Sequence, residues 1–353
     1  MNQTTSKCDI GSLNLEELSA FLEGLSIESG VKFEKFRAKQ IFSWLMKGVS
    51  DFSEMSNISA RQREVLCESC YIALPKIHTK YVSKLDGTVK YLFELYDGEY
   101  IESVFMRYKH GNTICISTQV GCRMGCSFCA STLAGLSRNL TPSEMLGQIL
   151  AAQKDTGERV SNIVMMGIGE PLDNYDNSIK FLRLVNDPEG INIGYRHISL
   201  STCGVVPGIY KLAAEDMPIT LSVSLHAPTQ EYREGIMPVA RKWSIDELLS
   251  ACRDYIGTTG RRISFEYAMI AGVNDSEDCA KTLASALRGM LCHVNLIPLN
   301  DVKERNYKRS GTVAIEKFVR ILEKSGITAT VRRRLGSDIN ASCGQLRRDK
   351  TTE

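Results

Sequence analysis

The chain has 353 residues, 43% of them hydrophobic and 24% charged, with 43 Lys and Arg against 41 Asp and Glu for a formal net charge of +2. That balance excludes a disordered chain, a collagen and a small disulfide scaffold, and it leaves room for about two domains. It gives no bulk basic charge from which to argue a nucleic-acid partner, so any such surface must be local.

No run approaches the roughly 18 uncharged apolar residues of a membrane helix. The N-terminus carries Glu16 and Glu17 within a capped amphipathic pattern, not the apolar core of a signal peptide. A cytoplasmic location without membrane contact is the expectation. Apolar residues recur at helical spacing between residues 11 and 66, with one helix opening near Ser12. Phe36, Ile41, Trp44 and Leu45 lie along a second, and a third covers residues 58 to 66. This predicts a helical accessory domain over residues 1–80. Next come VKYLFEL from Val89 and YIESVFM from Tyr100, flanking Asp97-Gly98, which predict a β-hairpin linker over 81–108.

Past Gly111 a unit repeats. Short β-rich runs begin near Thr113, Val160, His197, Ile219, Arg262 and Cys292, each followed by a helical pattern. Six strand–helix units in tandem predict an α/β core over 109–335, with parallel strands joined by crossover helices. An apolar run over 327–331 reads as a closing strand. The repeat suits an open doubly wound sheet or a full or partial barrel, and periodicity alone does not choose. Residues 336–353 form a polar C-terminal segment.

The distinctive residues follow the strands. Gln119-Val-Gly-Cys122-Arg-Met-Gly-Cys126-Ser-Phe-Cys129 comes after the first run, Gly169-Glu170 after the second and Ser201-Thr-Cys-Gly204 after the third. Ser224-Leu225-His226 ends the fourth, and Asn300 the sixth. Strand C-terminal ends are where α/β folds build their sites. The chain has 12 cysteines, and in a cytosolic protein metal ligation or thiol chemistry explains such a count better than structural disulfides do. Cys122, Cys126 and Cys129 form C-x3-C-x2-C. A structural zinc site normally closes with a fourth protein ligand, and none lies nearby; a [4Fe–4S] cluster with one iron left open to a non-protein ligand fits better.

With an aromatic before its last cysteine, this motif resembles that of the radical S-adenosylmethionine (SAM) superfamily. Gly169-Glu170 resembles the segment that binds the SAM amino group, where glycine allows close approach and a carboxylate complements an ammonium. CISTQVGCRMGCSFCAS, MMGIGEPLDNY, SLSTCGVVPGI, SVSLHAP, HVNLIPLN, DINASCGQL and the N-terminal FRAKQIFSWL together resemble the RlmN/Cfr family of RNA adenine methyltransferases. The similarity runs in order over nearly the whole chain. It implies a partial (βα)6 TIM-like barrel behind the helical domain.

The resemblance also implies roles. Cys122, Cys126 and Cys129 correspond to the cluster ligands. Gly169, Glu170, Ser201, Ser224, Leu225, His226 and Asn300 correspond to the SAM contacts, Cys343 to the methyl-carrying cysteine and Cys115 to its resolving partner. A Cys115–Cys343 disulfide is then a catalytic state, not a staple of the fold. Glu102 corresponds to the catalytic carboxylate, a candidate proton acceptor near the target adenine. The implied reaction uses two SAM molecules to methylate adenine C2 in 23S rRNA and tRNA, with an electron donor such as a flavodoxin and a monomeric enzyme. The other readings are a Cfr-type enzyme acting at C8 and associated with antibiotic resistance, a non-catalytic iron–sulfur RNA-binding protein, and a radical SAM enzyme with a small substrate. Pro171 and Leu172 after Glu170 favour the C2 branch. Two basic clusters are candidate RNA contacts: Arg332, Arg333 and Arg334 with Arg347 and Arg348, and Lys303, Arg305, Lys308 and Arg309 around Tyr307. Cys8, Cys67, Cys70, Cys203, Cys252, Cys279 and Cys292 are assigned to structure.

Overall fold

A computed structural model describes residues 7–300 and 302–347. It opens with strand β1 (Cys8–Asp9) and helices α1 (Leu15–Ser29), α2 (Phe36–Met46) and α3 (Ala60–Ser69), and β2 (Cys70–Tyr71) returns to pair parallel with β1. The Asn14 side chain accepts the Glu17 N–H at 2.8 Å and Glu17 accepts the Asn14 N–H at 2.9 Å, a reciprocal cap that starts α1. Gly30, at φ 68°, ends it. Leu18, Leu22 and Leu25 are buried along one face of α1.

Strands β3 (Lys76–Val82), β4 (Val89–Glu94), β5 (Tyr100–Tyr108) and β6 (Gly111–Cys115) form an antiparallel meander. A separate two-stranded ribbon follows, β7 (Gln119–Gly121) with β8 (Leu136–Asn139), and then α4 (Pro142–Thr156). The units β9 (Asn162–Met165)–α5 (Tyr175–Asn186) and β10 (Ile198–Thr202)–α6 (Val206–Ala213) come next. After β11 (Thr220–Ser224) lie two helices, α7 (Gln230–Ile236) and α8 (Ile245–Thr259). The core ends with β12 (Ile263–Met269)–α9 (Glu277–Ala286), β13 (Cys292–Pro298)–α10 (Thr312–Lys324) and β14 (Ala329–Val331).

Ten strands make one sheet in the order β14-β13-β12-β11-β10-β9-β6-β5-β4-β3. From β6 to β14 all neighbours are parallel, so the six strand–helix units are present and the closing strand lies at the β13 edge. The sheet is open between β14 and β3, as in a partial barrel. The hairpin at Asp97-Gly98 forms, but it is no free linker: with β3 it continues the barrel sheet by three antiparallel strands. The buried runs of β4 and β5 require cover on both faces, which a connector would lack. α4 is buried along most of its length between the sheet and the helical domain. That domain is tied on by Ser143 Oγ–H donating to Asp9 at 2.6 Å and by the Lys180–Glu17 ion pair at 2.8 Å.

Candidate active site

The loops at the strand C-terminal ends line a partly open cavity of about 150 Å³. The ribbon β7–β8 frames the cysteine loop. Cys122 N–H donates to Gly135 O at 3.0 Å, Ser127 N–H to Ile236 O at 2.9 Å, and Thr132 Oγ–H to the Cys126 and Cys129 carbonyls at 3.2 and 3.0 Å. All three predicted cluster cysteines line the cavity. Among the described residues no group of three or more His, Cys, Asp or Glu side chains is gathered around a single-ion site. Three cysteines around one cavity wall, Cys122 and Cys126 buried and Cys129 half-buried, suit a polynuclear cluster, which is larger than an ion.

Gly169 and Glu170 form the wall after β9. A Cβ on Gly169 would stand 2.7 Å from Gln119 Cβ and 2.8 Å from Gln119 N, and its φ of 108° is open only to glycine. Glu170 accepts the Leu172 N–H at 3.0 Å and the Cys203 N–H at 2.7 Å. Burial pushes its carboxyl above the usual range, against the lowering effect of these donors.

Ser201, Ser224, His226 and Asn300 line the same cavity. The His226 ring accepts the Ala268 N–H on Nδ1 at 2.9 Å, which leaves the ring proton on Nε2. Burial, with Arg233 nearby, draws its pKa down to about 3, so the imidazole is neutral. Cys343 reaches the cavity from the C-terminal segment. Asn300 Nδ2–H donates to Cys343 O at 3.1 Å, and Ala130 N–H, one residue past the last loop cysteine, donates to Gly344 O at 2.8 Å.

A second cavity, of about 50 Å³, adjoins the first; Cys115, Cys343, Asn300 and Arg332 line it. Cys343 therefore faces both spaces. Burial is the main cause, with Cys343 second, that pushes the Cys115 thiol up to about 12, and Arg332 opposes it. Both cysteines are free thiols.

Two predicted site residues line neither cavity. Leu225 is fully buried, and its side chain belongs to the hydrophobic core. Glu102 has 0% exposure and pairs with Lys90 at 2.9 Å, and it accepts the Arg347 N–H at 2.7 Å. Its neighbour on β4 is a lysine with 2% exposure, and a buried ammonium needs that carboxylate. Burial holds the Glu102 carboxyl above its usual range.

The basic clusters divide. Arg332 turns inward to line both cavities, Arg347 pairs with Glu304 at 2.6 Å, and Arg305 Nη2–H donates to Thr132 at 3.1 Å. Arg333, Arg334, Lys303, Lys308 and Arg309 are exposed, and Arg348 lies outside the described residues. Sequence reasoning missed Glu266, a cavity residue that accepts from Ser264 and Asn295 at 2.8 Å each. Its signal was a lone carboxylate in the apolar strand ISFEYAM. It also missed the buried Asn274, whose Nδ2–H atoms donate to His226 O and Ala268 O at 2.7 Å each.

Residues 116–284 match the radical SAM superfamily, and residues 8–72 match the ribosomal RNA large subunit methyltransferase N-terminal domain. A Clostridium novyi protein described as "Probable dual-specificity RNA methyltransferase RlmN" is 59% identical over 89% of this chain and 92% of its own length. An Alkaliphilus metalliredigens protein of the same description is 56% identical over 97% and 96%. The crystal structure of a radical SAM methyltransferase from Sphaerobacter thermophilus superposes with a TM-score of 0.90 at 43% identity, covering 95% of this chain and 98% of that one. The superfamily match implies SAM and a [4Fe–4S] cluster. No helix among the described residues is long and apolar enough to cross a membrane.

Proposed function

The chain belongs to the RlmN family of radical SAM RNA methyltransferases, and from that premise we propose that it methylates carbon C2 of a specific adenine in 23S rRNA and in tRNA, with Cys343 carrying the methyl carbon and Cys115 releasing the product. The observation that supports this reading is the position of Cys343, which lines the cavity of the loop cysteines and also that of Cys115. Adenine C2 is electron-poor and bears no acidic proton, so direct displacement from SAM does not methylate it. A carbon that is first parked on sulfur and then activated as a radical does.

In this reading Cys122, Cys126 and Cys129 hold the cluster and leave one iron for SAM. When bound, the cluster supplies the electron that cleaves SAM to methionine and a hydrogen-abstracting 5′-deoxyadenosyl radical. Gly169, Glu170, Ser201, Ser224, the neutral His226 and Asn300 position SAM, with Leu225 contributing only its backbone. Cys343 takes a methyl group from one SAM, its thiol giving up a proton. The S-methyl group then loses a hydrogen atom, and its carbon bonds to C2 of the base. The base then gives up its C2 hydrogen as a proton and the unpaired electron to a one-electron acceptor, a role the oxidised cluster would fill. Release moves the carbon–sulfur pair onto the added carbon, which takes up a proton to become methyl, while the Cys115 sulfur loses its proton and bonds to Cys343. The disulfide then needs two electrons from an external donor, such as a flavodoxin. Exposed Arg333, Arg334, Lys308 and Arg309 supply phosphate contacts, and the base must leave its stack to reach Cys343. Glu102 acts at one remove, by holding the backbone at Arg347.

The test is anaerobic reconstitution followed by SAM with a labelled methyl group. Label is expected on the Cys343 peptide before any enters RNA, Cys343→Ala is expected to abolish both, and digested RNA is expected to contain 2-methyladenosine. Label reaching RNA through an unlabelled Cys343, or 8-methyladenosine as the main product, would overturn the proposal.

A further inference from the structure

Arg233, on α7, is the largest fully buried side chain among the described residues, at 0% exposure. Its Nε–H donates to Leu225 O at 3.3 Å, and its Nη2–H atoms donate to Cys203 O and to Ser224 O at 3.4 Å. Nη1 has no hydrogen-bond partner. Every acceptor is thus a neutral backbone carbonyl at the end of β10 or β11. Among the described residues no Asp or Glu forms an ion pair with this guanidinium. A buried cation without an anion is among the most costly arrangements in a protein interior. Carbonyl dipoles soften that cost, but they carry no net charge.

Burial lowers the Arg233 pKa, and the nearby thiols of Cys203, Cys126 and Cys252 oppose that; the first two line the active cavity. α7 is also fastened to the cysteine loop. Both Ser127 N–H and Ser127 Oγ–H donate to Ile236 O, at 2.9 and 3.3 Å, and Met237 lines the cavity just beyond. The guanidinium therefore stands behind the cavity wall with one nitrogen unpaired.

We propose that Arg233 is the buried counter-charge of the iron–sulfur centre, a positioning residue that compensates the negative charge of a cluster held by Cys122, Cys126 and Cys129 and makes that cluster easier to reduce. The inference rests on the cysteine trio holding the cluster. A [4Fe–4S] centre with three thiolates is anionic and gains one more negative charge on reduction, so a fixed cation in a low-dielectric wall stabilises the reduced form more than the oxidised. Neutralising Arg233 then lowers the potential, whereas lysine keeps the charge.

The experiment reconstitutes the parent, R233M and R233K anaerobically, without SAM or RNA, and titrates the cluster potentiometrically with EPR detection. R233M is expected to lose at least about tenfold in the reduction equilibrium, a shift of about 59 mV to lower potential for a one-electron couple, with R233K close to the parent. A second readout is the rise in Tm on loading the cluster into cluster-free protein. It is expected to be smaller in R233M than in the parent or R233K, and this difference cancels the lost carbonyl bonds. Equal potentials in R233M and the parent, equal loading gains in all three proteins, or matched shifts in R233M and R233K would show that Arg233 only ties strand ends together. A parent that binds no [4Fe–4S] cluster would instead overturn the reading of the cysteine trio.

Discussion

His226 stands at φ 55°, one of four described non-glycine residues in the left-handed region. That conformation is held from outside: Asn274 donates to His226 O, and the ring accepts from Ala268 N. A histidine fixed in this way, with 5% exposure and a pKa near 3 against an ordinary 6.5, makes stability depend on pH. Between pH 6.5 and about 3 the unfolded chain binds a proton that the native state does not, so stability rises with pH and is complete above 6.5. His226→Asn keeps a residue that tolerates positive φ and removes the titration. In urea unfolding of cluster-free protein, the parent is expected to lose about 2 kcal/mol relative to this variant between pH 6.5 and 5. A difference that does not vary with pH would mean that the folded imidazole takes its proton normally.

At the scale of elements, the cysteine loop owes its shape to the ribbon β7–β8 more than to its own residues. Gly121 lies at φ 78°, and a Cβ there would sit 1.8 Å from Gly135 O, the acceptor of the Cys122 N–H. Gly121→Ala meets both backbone strain, worth about 1–3 kcal/mol, and a backbone clash that no rotamer relieves. The variant is expected to bind far less iron per chain on reconstitution. Gly135→Ala, at φ 65° with nothing within 4 Å of its Cβ, is expected to load close to normally, and equal iron content in the two would refute the ribbon's role. The six strand–helix units and the crowding of polar residues at strand ends were legible in the sequence, because buried parallel strands and crossover helices leave strong periodic signatures, whereas periodicity left the order of the strands open. The partners of single side chains were not legible. Glu102 resembles a catalytic carboxylate until Lys90 is found buried beside it, Arg332 resembles a surface cation until it turns toward Cys343, and nothing local marks Asn274 or Arg233 as interior. Each depends on a contact between segments far apart in the chain.

The whole molecule is a sheet left open on one side and crossed there by the C-terminal segment. From β14 the chain reaches the turn between β3 and β4, where Gly336 N–H donates to Asp86 and Ser83 Oγ–H to Asp338, at 2.9 and 2.7 Å. Ala341 and Leu346 then pack on Val104, Met106, Cys115 and Ile168, and Arg347 N–H ends on Glu102. The Glu102–Lys90 pair thereby joins the stability of the sheet to the position of Cys343, and substitutions separate the two effects. Glu102→Ala alone strands a lysine with 2% exposure and is expected to cost about 3–5 kcal/mol. The double variant Lys90→Met/Glu102→Leu removes both charges together and is expected to unfold within about 1–2 kcal/mol of the parent, while leaving Arg347 N–H without its acceptor. If that contact holds the segment down, alkylation of Cys343 by iodoacetamide should be several-fold faster in the double variant than in the parent, with RNA methylation reduced in step. An unchanged alkylation rate in a stably folded double variant would show that the packing of Ala341 and Leu346 alone seats the segment, and that Glu102 serves only its lysine.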